Sequence, residues 1–400
     1  MDLFFLLNSL AGGGAERVAV NLSKVLPVEK IFLLEKDVRY EAPQDKLIFL
    51  STHTLKTSLI LKTLYIPIYA KGLSQRIGKN SIVVSFLERA NYVNILAKLY
   101  SKHKAFISIH MSQLAGRRWY HPYNFISKWL YPKADKVICV SKGIANELKT
   151  YYRVPEEKLT VIYNPIFLDE IKKLSEESLG EYQNIFDSPV LITSGRLTKP
   201  KGQWYLLRIF KELKKYNPEL KLVILGDGEL KSYLVTLSEK LGLKTYVWDR
   251  NTISDSFDVY FLGFQKNPFK FIAKSKLFFF PSLWEGFGNV LIEAMACKVP
   301  VVSSDCKSGP REILAPDTNF EYQTEKPEFA KYGVLMPVFE VKFKGANEPL
   351  NEIEKMWVEV IGEFLQKEHL RQEYAHKAKE RAKDFDIEKI VKDWKKIILI

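Results

Sequence analysis

KLFFFPSLWEGFGNVLIEAMACK, Lys276–Lys298, is the stretch whose pattern decides the fold. KLFFF is an apolar run of strand length. NVLIEAMACK sets Val290, Leu291, Ala294 and Cys297 on one helical stripe. The unit therefore reads strand, turn, helix. Gly286 and Gly288 keep side chains out of the turn, with Phe287 between them and Asn289 opening the helix. Backbone N–H groups at that helix start stay open, carry about half a positive charge and suit a phosphate or diphosphate. Glu285 and Glu293 frame the turn. At a rise of ~1.5 Å per residue they stand roughly 12 Å apart along the chain. A retaining glycosidase pair needs about 5 Å. Two carboxylates around an anion site instead suit the two polyol ends of a sugar nucleotide. The plainer alternative is a Glu placed for the helix dipole and a second Glu facing solvent.

The same rhythm extends in both directions. Strand-like runs fall at 2–7, 30–34, 47–50, 81–86, 105–109, 136–140 and 160–163, with helical stretches such as 15–26 and 91–100 between them. That alternation predicts a parallel sheet covered on both faces. YNPI at 163–166 punctuates it, and a polar stretch follows. A second series begins at 190–194 and continues with strands at 221–225, 259–262, 276–280 and 299–303 and helices at 203–216, 229–241 and 289–298. The fold class is α/β with two doubly wound units. The divisions expected are 1–168, a linker at 169–188, a second unit at 189–380 and a terminal helix at 381–400. Residues 244–258 look like an insertion without an assigned role.

Lys and Arg exceed Asp and Glu by 24 to 12 in residues 1–165 but only by 36 to 35 in the remainder. A basic half joined to a neutral one points to a large anionic partner for the first half, an anionic membrane surface or nucleic acid. No nucleic-acid recognition fold is visible, so nucleic acid is not expected. The three cysteines form no CxxC pair, and no apolar run reaches the ~18 residues of a membrane span. The start lacks a basic leader region. No zinc or two-metal spacing occurs, so no metal or other cofactor is expected. Asp384-Phe385-Asp386 resembles a metal-holding pair but falls between helices, where Asp386 suits a helix N-cap.

Four further stretches carry chemistry. SLAGGGAER (Ser9–Arg17) follows the first strand and opens a helix, so its glycines can bring backbone close to an anion. Gly12 and Gly14 satisfy half of a dinucleotide fingerprint, with Glu35 where a ribose-binding acid would sit. Arg17 occupies the third glycine position and blocks the close packing that the fingerprint needs. SGRLTKPKG (Ser194–Gly202) presents Arg196 and Lys201 from one loop, a planar fork and a point charge suited to a diphosphate. LGDGE, 225–229, reads as an ordinary turn with a helix cap, and FLGF, 261–264, exposes backbone beside Phe264 that could meet a nucleobase. His110 ends a strand at the sheet edge where α/β folds bind ligands. In GRRWYHPYNFISKWLYPK, 116–133, basic and aromatic residues interleave, among them Arg117, Arg118, Trp119, Lys128 and Trp129. LKTSLILKTLYIPIYAKGL, 55–73, is a second basic and apolar stretch. Both suit a membrane interface.

Taken as a set, GGGAER, VICVSKGIANEL, VIYNPI, SGRLTKPKG, VILGDGEL, FLGF, PSLWEGFGNVLIEAMACKVPVVSSD and SGPREIL resemble the retaining group 1 (family four) glycosyltransferases of the GT-B fold. The resemblance runs over nearly the whole chain. It implies two Rossmann-like domains facing across a cleft, with a C-terminal helix crossing back to the first. It further implies that Glu293 binds ribose hydroxyls and that Glu285 with the Phe287–Asn289 backbone holds the sugar. Arg196 and Lys201 would neutralise the leaving diphosphate, and backbone near Phe264 would contact the base. His110 would lie near the reacting carbon, and the Gly13–Gly14 loop would cover the diphosphate or acceptor. The implied enzyme moves a hexose or N-acetylhexosamine, UDP-linked, to a lipid-linked glycan acceptor in bacterial surface-glycan assembly. It would work without metal at the cytoplasmic face of the inner membrane. GDP-mannose is the alternative donor; an NAD(P)-dependent oxidoreductase and a non-catalytic lipid- or glycan-binding subunit are alternatives of other classes.

Overall fold

The computed structural model describes residues 1–398 apart from 41, 113 and 115–121. The chain divides into two compact units, Met1–Pro165 with Ile387–Ile400, and Ile166–Asp386. The 169–188 stretch is not an open linker. It forms a helix, Leu168–Ser175, and a 3-10 segment, Gly180–Asp187, both inside the second unit.

The first unit holds seven strands: β1 Leu3–Leu7, β2 Val28–Leu33, β3 Leu47–Phe49, β4 Ile82–Phe86, β5 Lys104–Ile109, β6 Lys136–Cys139 and β7 Leu159–Val161. They pair in parallel in the order β3-β2-β1-β4-β5-β6-β7. Every residue of β1 and β4 is buried, as strands covered on both faces require. The strand order reverses between β1 and β4, which makes their C-terminal ends a topological switch point. The helix Ile387–Ile398 belongs to this unit, and its Trp394 ring stacks on Phe86 at 6.4 Å.

A buried imidazole ties the helix Glu88–Ser101 to β5. His103 meets the Ser101 Oγ at 2.8 Å and the Asn94 Oδ1 at 2.8 Å, and burial lowers its pKa to about 4. Its unfolded counterpart takes up a proton near 6.5. Between those values the unfolded chain holds more protons, so this contribution is complete above pH 6.5 and is lost as pH falls towards 4. Denaturant unfolding should therefore show lower stability at pH 5 than at pH 7.5, and His103→Gln should flatten that slope.

The second unit holds eight strands: β8 Val190–Ser194, β9 Lys221–Leu225, β10 Thr245–Val247, β11 Val259–Gly263, β12 Leu277–Phe280, β13 Val301–Ser304, β14 Glu328–Phe329 and β15 Val334–Met336. Their order is β10-β11-β9-β8-β12-β13-β15-β14, parallel except for the β14–β15 pair. The expected insertion at 244–258 thus contains an edge strand. Thr245, Tyr246 and Val247 pair with β11, and Trp248 then lies against Gly263. Here the order reverses between β8 and β12. Loops 195–202 and 281–288, the two that carry the charges and glycines, leave the C-terminal ends of those strands.

Candidate functional site

The switch point of the second unit brings Lys201 and Glu285 together. The Lys201 ammonium donates to Glu285 Oε1, and the Ser282 hydroxyl donates to the same oxygen at 2.7 Å. Glu285 Oε2 makes no hydrogen bond among the described residues, and the side chain keeps 11% of its surface exposed. Lys201 also sits 5.4 Å from the centre of the Phe280 ring. One bond docks the two loops, Leu283 N–H to the Pro200 carbonyl at 2.7 Å, and the Ser304 hydroxyl, at the end of β13, donates to the Ser282 carbonyl. Arg196, exposed, makes no hydrogen bond or ion pair through its guanidinium among the described residues. Its backbone carbonyl is held at 3.0 Å by the buried Gln203 amide. One cation is thus spoken for and one is ready for an anion.

LGDGE is more than a turn with a cap. The following helix begins only at Lys231, with Leu230 as its N-cap. Gly226 instead lies so close to the Arg196 loop that a Cβ would stand 2.1 Å from the Gly195 carbonyl oxygen. Gly195 N–H donates to Leu225 at 2.9 Å and Leu197 N–H to Asp227 at 3.0 Å. The glycines let two loops share backbone bonds beneath Arg196.

Gly286, Phe287 and Gly288 form the turn before the helix Asn289–Ala296, and Gly288 adopts φ +93°. The Phe287 ring is buried against Phe385, with centroids 5.6 Å apart. Glu293 is 7% exposed, so it is not a solvent-facing carboxylate. Behind the turn, Gly309 has φ +107°, and a Cβ there would lie 1.9 Å from the Phe287 carbonyl oxygen. Arg311 anchors this backing loop through Asp305 at 2.6 Å and Glu328 at 2.7 Å. Burial raises the Asp305 pKa against the opposing pull of Arg311. Gly309→Ala should push the Phe287 turn out of place and lower the melting temperature, since the new Cβ meets backbone and sits at a strained φ. Calorimetric melting checks it. Phe264, following β11, is 70% exposed and so open to a flat partner.

The first unit differs from its expectation at the glycine loop. Glu16, 5% exposed, accepts the Gly12 N–H at 2.7 Å, the Gly13 N–H at 2.6 Å and the Ser9 hydroxyl at 2.9 Å. The chain's own carboxylate fills the place read as an open anion site at Gly13, while Gly14 starts the helix. Glu35 is equally engaged. Lys62 donates to its Oε2 at 2.8 Å and Arg89 to its Oε1. His110 follows β5, its Nε2 2.9 Å from the Ser108 Oγ and its Nδ1 buried without a partner among the described residues. Burial lowers its pKa to about 3, so the ring is neutral at physiological pH.

Lys128 and Trp129 lie on the helix Pro122–Leu130, Trp129 62% exposed with the Lys133 ammonium 3.0 Å from its ring centre. Arg117, Arg118 and Trp119 lie outside the described residues. Sequence reasoning missed Ser282, Gln203, the Asp305–Arg311 pair and the Lys62–Glu35–Arg89 trio. Only Ser282 carried a local signal, three residues before Glu285.

Two family models match the chain: glycosyl transferases group 1 over residues 176–331 and glycosyltransferase family 4 over residues 12–170. An uncharacterized glycosyltransferase of Methanocaldococcus jannaschii is 43% identical over 276 residues, 68% of this chain and 65% of that protein. The N-acetylgalactosamine-N,N'-diacetylbacillosaminyl-diphospho-undecaprenol 4-alpha-N-acetylgalactosaminyltransferase of Campylobacter jejuni is 31% identical over 98% of this chain and 97% of its own. Among solved structures, Anabaena HepE in complex with UDP superposes with a TM-score of 0.75 at 18% identity, covering 100% of both chains. Likeness of that extent shows the GT-B fold, with the two sheets described above as its Rossmann-like halves.

Proposed function

The chain belongs to the group 1, family 4 glycosyltransferases, and on that premise we propose that it moves an N-acetylhexosamine from a UDP-linked donor to a lipid-linked diphosphate acceptor. The observation that carries this reading is the Lys201–Glu285 pair on the loops that also carry Arg196, whose guanidinium has no partner among the described residues, at the sheet edge where α/β folds hold nucleotides. Arg196 and Lys201 would meet the charge that grows on the leaving diphosphate. Glu285 and the Phe287–Asn289 backbone would hold the sugar, Glu293 the ribose, and backbone beside Phe264 the base. A neutral His110 would act near the reacting carbon as a hydrogen-bonding group. Transfer from an α-linked donor to an α-linked product is net retention. The Campylobacter relative's name specifies an α product on a diphospho-undecaprenol carrier, and the Anabaena structure holds UDP. No metal or other cofactor is assigned a part in the reaction.

The first unit supplies a surface for the lipid. On the helix Leu59–Leu64 the one lysine is turned inwards to Glu35, while Leu59, Ile60 and Leu64 are 58%, 74% and 69% exposed. A helix that buries its cation and exposes its leucines fits an apolar cover better than water. Trp129, Lys128 and the basic balance of this half support the anionic face of a membrane as that cover, which fits an enzyme peripheral on the inner leaflet of the cytoplasmic membrane. No helix among the described residues is long and apolar enough to cross it. Glu35, fully engaged by two cations, disfavours the dinucleotide alternative.

Thermal-shift measurements against UDP-, GDP-, ADP- and dTDP-sugars, followed by transfer to a polyprenyl-diphosphate-linked sugar, test the proposal. Protection by UDP-N-acetylhexosamine and extension of the lipid-linked sugar are expected. Protection by GDP-mannose alone would move the donor to mannose. Protection by NAD(H) and by no nucleoside diphosphate would sink the transferase reading.

A further inference from the structure

The two oxygens of Glu285 have different surroundings. Oε1 receives both protein donors, the Lys201 ammonium and the Ser282 hydroxyl, while Oε2 receives none among the described residues. Ser282 is itself fixed from two sides. It has no exposed surface, and its carbonyl accepts the Ser304 hydroxyl from the end of β13. Lys201 is a long side chain, 22% exposed, on the loop that also carries Arg196. Ser282 is short and sits in the same Pro281–Glu285 segment as the carboxylate it holds.

From this asymmetry we infer that Ser282 is the positioning residue that keeps Glu285 in place while Lys201 changes partner. The inference rests on the donor site proposed above. A diphosphate brings negative charge to the loop of Arg196 and Lys201, and an ammonium shared with a carboxylate is drawn towards it. Glu285 then loses its cation at the moment it must accept hydroxyl hydrogens from the sugar. The Ser282 bond, at 2.7 Å and charge-assisted, does not depend on the nucleotide and persists through the exchange. It fixes Oε1 and leaves Oε2 presented to the sugar. Ser282 touches no substrate in this scheme; it acts through Glu285.

The consequence separates sugar recognition from nucleotide recognition. Ser282→Ala leaves Arg196, Lys201 and the helix start intact, so affinity for a nucleoside diphosphate stays within about twofold of wild type. The additional affinity contributed by the sugar disappears, and kcat/KM for transfer falls on the order of 100-fold, the scale of a misplacement of about 1 Å. Combined with Glu285→Gln, Ser282→Ala adds nothing further, because its effect runs through that carboxylate. A residue that only supported the loop would lower nucleotide affinity as well and would add to Glu285→Gln.

Isothermal titration of wild type, Ser282→Ala, Glu285→Gln and the double variant with UDP and with UDP-N-acetylhexosamine is the experiment, paired with transfer rates. Unchanged UDP affinity, a lost sugar increment and a non-additive double variant are the expected results. A Ser282→Ala protein that keeps the sugar increment, loses UDP affinity in parallel, or adds its loss to that of Glu285→Gln overturns the inference. Wild-type protein that binds no nucleotide overturns the donor site and this inference with it. Wild-type binding with an unaffected Ser282→Ala variant overturns the role of Ser282 alone.

Discussion

Glu285→Gln should lower kcat/KM for sugar transfer by about 10³, roughly 4 kcal/mol of transition-state stabilisation, while leaving the melting temperature nearly unchanged. Glutamine preserves the shape of the side chain, so the turn at 286–288 keeps its packing. It removes the charge that now holds Lys201 and would orient the sugar. Charge-assisted hydrogen bonds contribute about 1.5–3 kcal/mol each, and one partly exposed ion pair contributes far less to stability. The effect should therefore appear in turnover and not in folding. Lys201→Ala should cost a comparable factor, and the two losses should largely add, because with the donor bound the lysine meets the diphosphate and the carboxylate meets the sugar. Steady-state transfer and donor hydrolysis, with calorimetric melting as the control, decide it. Near-normal transfer by both variants would show that the switch-point pair takes no part in catalysis.

The layout of both sheets was legible because parallel strands covered on two faces must be apolar along their whole length. All seven strands of the first unit stand where apolar runs stand in the chain, within a residue or two. The strands β10, β14 and β15 were not legible. They have two or three residues, and nothing local distinguishes Thr245–Val247 or Glu328–Phe329 from loop. The charged loop at Arg196 and Lys201 and the turn at Glu285 could be found separately, since glycine and charge mark each one. Their meeting, 84 residues apart, follows from strand order, which no local pattern encodes. Long separation also hid the engagement of Glu35, whose partners lie 27 and 54 residues away. At the glycine loop one partner was not legible. A helix N-terminus binds any anion, and Glu16, three residues after Gly13, is near enough to serve as its own.

Arg208→Met should lower the unfolding free energy of the second unit by about 3–5 kcal/mol, since it strands the carboxylate of Glu354 inside the protein. The Arg208 and Glu354 side chains are 1% and 0% exposed, joined at 2.6 Å through Nε. Arg208 also donates to the carbonyls of Glu348 at 3.0 Å and Pro349 at 2.9 Å, so methionine leaves acceptors unpaired as well. Glu354 also caps a helix. Its Oε2 accepts the Asn351 N–H at 2.9 Å and completes the capping box of the helix Glu352–Gln366. If the damage comes chiefly from an isolated buried charge, Arg208→Met with Glu354→Leu should be more stable than the sum of the single losses predicts by more than about 1 kcal/mol. Asn351→Ala alone, which removes only the cap, should cost about 1 kcal/mol. The competing possibility is that apolar packing alone seats this helix, through Trp357 stacked on Phe279 at 4.6 Å and on Phe339 at 5.1 Å. In that case Arg208→Met would cost little and the two substitutions would add. The distinction reaches the site, because Phe279 lies in β12, the strand that delivers Ser282 and Glu285. A helix loosened by a stranded charge would let that strand end drift. Arg208→Met should then weaken sugar-nucleotide binding at temperatures well below its own unfolding, and Asn351→Ala should not.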